Sequence, residues 1–131
     1  MSKIIGFGEA KWSAMMGSAS FELEGVDAFV TIWPKDLKGP KPVWWPKRVA
    51  DHLPPNEPVT VEMLKELLPR FSEVEWEQSV RGTANTLEIH AVLGDLRIVI
   101  IGHANSSQAD AMEEKTKDLR ETAIEFQSLI S

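Results

Sequence analysis

Apolar residues recur with two different periods along this chain. Two aliphatic runs, Thr86 to Leu93 and Leu96 to His103, are joined by Gly94-Asp95, a two-residue connection that favours a tight hairpin. Pairing Leu93 with Leu96 sets Ala91 opposite Ile98, Ile89 opposite Ile100 and Leu87 opposite Gly102, which gives one apolar face. The other face carries Glu88, His90, Val92, Arg97, Val99, Ile101 and His103. A third run, Val74 to Arg81, alternates as a half-buried strand does. A short turn through 82–85 would set Val80 beside Leu87 and Trp76 beside Ala91. The apolar faces of three strands then coincide, which supports the register.

The period changes after residue 106. Ala109, Met112, Thr116, Leu119, Ala123, Phe126 and Ile130 recur at spacings of three and four, one stripe of a helix. Ser107 and Asp110 fit its start, as a capping oxygen and a negative charge near the positive helix end. The stripe predicts a roof over the apolar side of the meander. Thr60 to Leu68 predicts a short helix capped by Thr60 and stopped before Pro69. Phe21 to Leu23 and Ala28 to Trp33 predict two strands around Glu24-Gly25. Residues 9–16 fit a helix or a strand, and the flanking glycines do not decide between them. The expected fold is therefore α+β, with a single antiparallel sheet. Its order is β-β-α-β-β-β-α, with the N-terminal element open and the C-terminal helix packed on one face.

Proline divides the chain. All eight prolines lie between Pro34 and Pro69, and seven of them between Pro34 and Pro58. Residues 34–58 are expected to form an irregular crossover, with a helical turn near Lys47 to His52, inside one domain spanning 1–131. Residues 35–48 hold Lys35, Lys38, Lys41, Lys47 and Arg48 against Asp36 alone, a charge of +4 in a chain of net charge -6. Trp44 and Trp45 sit at its centre. Tryptophan and arginine dominate binding interfaces because large or forked rigid groups lose little entropy when fixed. Trp44, Trp45, Lys41, Lys47 and Arg48 are thus candidates for docking a partner protein. The competing reading makes an indole the anchor that pins the crossover to the domain. Adjacent extended residues point to opposite sides, so one buried and one exposed ring is the simplest geometry.

A second candidate lies on the polar face of the meander. Glu77 falls opposite His90, with Glu88, Arg97 and His103 nearby. Histidine beside a carboxylate is the raw material of acid–base chemistry, and such a cluster could hold a small ligand. The competing reading is a set of cross-strand charge pairs. Val92, Val99 and Ile101 on this face are too apolar for an open sheet. The N-terminal segment or a second copy in a homodimer would cover them.

Composition narrows the chemistry. The chain has no cysteine, which removes disulfides, thiolate nucleophiles and Cys-ligated metals. No metal or other cofactor is expected. Gly6 and Gly8 lack the further glycine and lysine of a phosphate loop, and no serine sits in a nucleophile elbow. The acidic balance argues against nucleic acid as a partner. No run reaches the ~20 apolar residues of a membrane span, and the first residues lack the pattern of a secretory signal. The expectation is a soluble, cytoplasmic, non-enzymatic protein-binding module. Inhibitors and immunity-type proteins that cover a partner's working surface have this character. The alternative is a ligand binder or enzyme using the Glu/His cluster.

Overall fold

A computed structural model describes residues 3–13, 18–36, 45–82, 85–103 and 109–131. Among them lie seven strands and three helices. The strands are β1 (Gly6–Phe7), β2 (Lys11–Ser13), β3 (Ser18–Glu24), β4 (Ala28–Pro34), β5 (Arg81–Gly82), β6 (Thr86–Leu93) and β7 (Leu96–His103). The helices are α1 (Trp45–His52), α2 (Val61–Leu67) and α3 (Ala109–Leu129). All strands join one antiparallel sheet in the order β1-β3-β4-β7-β6-β5, with β2 also pairing β3. The fold is α+β, and of residues 9–16 Lys11–Ser13 form a strand, while 14–16 lie outside the described residues.

The β6–β7 hairpin has the expected register, with Leu93 opposite Leu96 and Ile89 opposite Ile100. Gly94 takes φ +60°. That is the left-handed value the first central position of a II′ turn demands, and glycine meets it without strain. The β3–β4 hairpin turns at Gly25, whose φ is +99° and where an added Cβ would collide with the Lys3 carbonyl. The pairing of β4 with β7 joins the two hairpins and completes the apolar rows. Phe21, Val30, Ile100 and Ile89 form one row across four strands; Ala19, Ile32, Ile98 and Ala91 form the next.

These rows face the helices. Leu119, Ala123 and Phe126 of α3, Ile130 just after it, Trp45 and Val49 of α1, and Leu64 and Leu67 of α2 share one buried cluster with Ile89, Ile98 and Ile100. Phe126 stands at its centre, with ring centroids 6.0 Å from Phe7, 6.2 Å from Phe21 and 5.9 Å from Phe71. Ala109 and Met112, at the start of the expected stripe, fall outside the residues whose side chains are described, as do Ser107 and Asp110. Thr60 caps α2 as expected, its hydroxyl accepting from the Met63 amide at 3.2 Å. No helix among the described residues is long and apolar enough to cross a membrane.

The helical turn expected near Lys47 to His52 forms as the eight-residue helix α1, which begins two residues earlier, with Pro46 in its first turn, where no backbone donor is needed. One expectation needs correction. Val74 to Arg81 is not a strand: only Arg81-Gly82 pairs, with Glu88 and Leu87. The alternation there has a different cause. The Gln127 amide donates to the carbonyls of Phe71 (2.7 Å) and Val74 (2.6 Å), and accepts from the Trp76 indole (3.1 Å). Arg120 donates to the Gln78 carbonyl at 2.6 Å. Helix α3 thus takes the carbonyls that a strand ladder would have used. One expected ladder contact survives, the Glu77 amide donating to the His90 carbonyl at 2.8 Å. Between residues 77 and 81 the chain advances four positions while its partner moves only from His90 to Glu88. Two residues of excursion separate the expected register from the real one.

Candidate functional site

The side of the sheet away from the helices is ordered by the same registers. Glu22, Phe29, Ile101 and Glu88 form one row, and Arg81 of β5 lies opposite Glu88. Ser20, Thr31, Val99 and His90 form the second row; Trp33, Arg97 and Val92 form the third. Thr31, Val99 and His90, in the middle, are buried, while Phe29, Trp33, Val92 and Ile101 are partly exposed. None of Phe29, Trp33, Val92, Val99 or Ile101 belongs to the core cluster or packs against it. The sheet therefore carries a second apolar face.

His90 sits in this face with 2 % of its side chain exposed. Its Nε2 lies 3.0 Å from Glu88 Oε1, and its Nδ1 lies 3.3 Å from the Arg97 Nη1. A guanidinium has only donors, so Nδ1 must accept, which leaves the ring proton on Nε2 to donate to Glu88. The neutral tautomer is thereby selected. The His90 pKa is pushed below the ordinary 6.5, first by burial; the nearby Arg81 and Arg97 charges push the same way, and Glu88 opposes them. Arg97 is the hub. Its Nη1 also lies 3.6 Å from Glu77 Oε2, and its Nε donates to the Lys35 carbonyl at 3.1 Å. Arg81 completes the chain with a 3.1 Å ion pair to Glu77.

Four of the five residues proposed for this cluster are thus brought together: Glu77, Glu88, His90 and Arg97. His103 is not. It pairs with Asp27 at 3.0 Å, and the register sets it opposite Thr86, four positions from His90 along β6. That is roughly 13 Å at strand spacing. Among the described residues, no three His, Asp or Glu side chains converge as a metal site requires. Arg81 was missed by sequence reasoning, although its spacing of four from Glu77 was a readable signal. Phe29 and Trp33 were missed as members of this face. Their signal was also present, because both phases of residues 28–33 are apolar, as in a strand covered on two sides.

The crossover candidates separate. Trp45 is 3 % exposed in the core cluster, so it takes the anchoring role. Arg48 reaches the β6–β7 turn, its Nη1 lying 2.8 Å from each Asp95 carboxylate oxygen. Lys47 is exposed. Trp44 and Lys41 lie outside the described residues.

A cleft of about 490 Å³ lies elsewhere, between α3 and the ends of β4 and β7. Leu87, Gly102 and Leu119 line it with Asp27, His103, Asp118 and Glu121; His90 and Glu88 do not. The His90 imidazole, beside the Glu88 carboxylate, does not line that cleft, and both of its nitrogens are engaged. It can take up a proton at Nδ1 only if Arg97 leaves. Comparison with known families, with curated proteins and with solved structures finds no significant match to this chain.

Proposed function

We propose that this chain is a non-enzymatic protein-binding module whose outer sheet face docks a partner, covering that partner's working surface as an inhibitor or immunity-type protein does. One observation carries the reading: four partly exposed apolar side chains, Phe29, Trp33, Val92 and Ile101, surround the buried Val99 on a face that, among the described residues, lies outside the core cluster. Soluble monomers rarely leave such a face without use. Three rows across four strands span roughly 400 Å² at the spacings of a sheet. One side of a standard interface covers about twice that. The partner must therefore reach the rim, where Glu22, Glu24 and Asp27 are exposed on a chain of net charge -6. The fitting occupant is a protein with an apolar centre and a lysine- or arginine-rich border. Opposite charge at the border speeds and orients docking.

The test is the affinity of a partner captured from the native cell. Ile101→Glu should weaken binding by about tenfold or more, as loss of a central apolar contact does. Glu66→Lys, on the exposed side of α2, should leave it unchanged. Equal binding by wild type and Ile101→Glu overturns the reading. A wild-type dimer that Ile101→Glu dissociates would make a second copy the occupant and overturn it as well.

A further inference from the structure

Within the outer face, one group is both buried and able to change charge near neutral pH, and its surroundings are built for one charge state. His90 is held between an acceptor, Glu88, and a donor, Arg97. The two contacts are satisfied together only by the neutral ring with its proton on Nε2. Among the described residues, the other charged groups around it are Arg81 on β5 and Glu77 in the 74–80 segment; β4 adds Thr31 in the same row, which does not titrate. Arg97 also bonds to backbone beyond the sheet rows, its Nε donating to the Lys35 carbonyl just after β4.

We propose that Glu88, His90 and Arg97 form an acid-operated latch on the outer face. A proton from solvent adds to Nδ1 and turns it from acceptor to donor. The guanidinium and the new N–H then face each other as two donors with like charge. Arg97 is expelled, while the imidazolium keeps Glu88. Arg97 shares a row with Trp33 and Val92, so its departure disturbs the third row of the apolar face and frees the Lys35 carbonyl. A docked partner is then released as pH falls. This last consequence rests on the docking reading above; the latch itself does not.

The latch is read in the full chain alone, by NMR of the His90 ring nitrogens, the Arg97 Nε–H and the Trp33 indole from about pH 7.5 to about pH 4.5, the range in which histidine changes charge. The expected result is an Nε2–H tautomer at the upper end. The His90 transition should lie below 6.5. Arg97 and Trp33 should move with the same midpoint. His90→Gln keeps an acceptor and a donor but cannot titrate, so it should hold Arg97 and Trp33 still across the range. If that variant does not fold, Arg97→Gln serves instead: with the guanidinium gone, the His90 midpoint should rise. Protonation of His90 without movement of Arg97 overturns the latch, as does movement that persists in His90→Gln or an unchanged midpoint in Arg97→Gln. Binding gives a separate outcome. A working latch with partner affinity independent of pH would leave the latch standing and overturn docking at this face.

Discussion

The two faces of the sheet use the same strands and the same register, yet they are held by different physics. On the inner face, Ile89, Ile98 and Ile100 meet helices, every row is aliphatic or aromatic, and burial supplies the stability. On the outer face, apolar residues share the rows with Glu88, His90 and Arg97, and side-chain polar contacts must be satisfied for the buried imidazole to remain. The first face tolerates no loss of volume. The second gives up packing for a surface that can meet something else. The contrast puts the packed core on one side of the sheet and the proposed docking surface on the other.

The largest effect should come from the inner side. Phe126→Ala opens a cavity among Phe7, Phe21 and Phe71, and should cost about 3–5 kcal/mol in urea unfolding. Ile101→Ala on the outer side should cost under about 1.5 kcal/mol, because a partly exposed residue outside the core leaves little cavity. Equal losses would erase the distinction between the faces.

The next effect tests the clamp that keeps residues 74–80 out of the sheet. Gln127→Leu removes the donors to Phe71 and Val74 and the acceptor for Trp76. A loss of about 1–3 kcal/mol is expected from polar groups left without partners. Hydrogen exchange should quicken in 71–76 while β6–β7 stays protected.

Acid should act on the outer face specifically. The native His90 pKa lies below the ordinary 6.5, so as pH falls through that value the unfolded chain binds a proton that the native chain refuses. Stability is therefore lost from 6.5 down to the native pKa, and no further below it. In His90→Gln this loss should vanish from the pH dependence of the urea midpoint. The smallest effect belongs to the Arg48–Asp95 pair, with side chains 37 % and 52 % exposed. Arg48→Ala should change stability by at most about 1 kcal/mol, less in high salt.

Where local pattern and tertiary packing agreed, the fold was legible in advance. The β6–β7 register followed from Gly94-Asp95 and the aliphatic rows, and the α3 stripe followed from its spacing. The 74–81 segment misled because a half-buried coil clamped by Gln127 and Arg120 alternates much as a strand does. Nothing local distinguishes a carbonyl bonded by a helix side chain from one bonded by a neighbouring strand. The site was half legible. Glu77, Glu88, His90 and Arg97 could be gathered from one hairpin and one incoming segment. The contribution of Phe29 and Trp33 required knowing that β4 pairs with β7, a contact between residues roughly seventy positions apart that no periodicity within either segment encodes.

The account stands or falls on whether the outer apolar face is open to a partner. A soluble paramagnetic probe with methyl NMR compares neighbouring residues of one strand, Ile100 facing the core and Ile101 facing out. In the isolated monomer the probe should broaden the Ile101 methyl signals and spare those of Ile98 and Ile100, and a bound partner should shield Ile101. Ile101 signals as sheltered as those of Ile100 in the free chain, or still broadened in the complex, would contradict it.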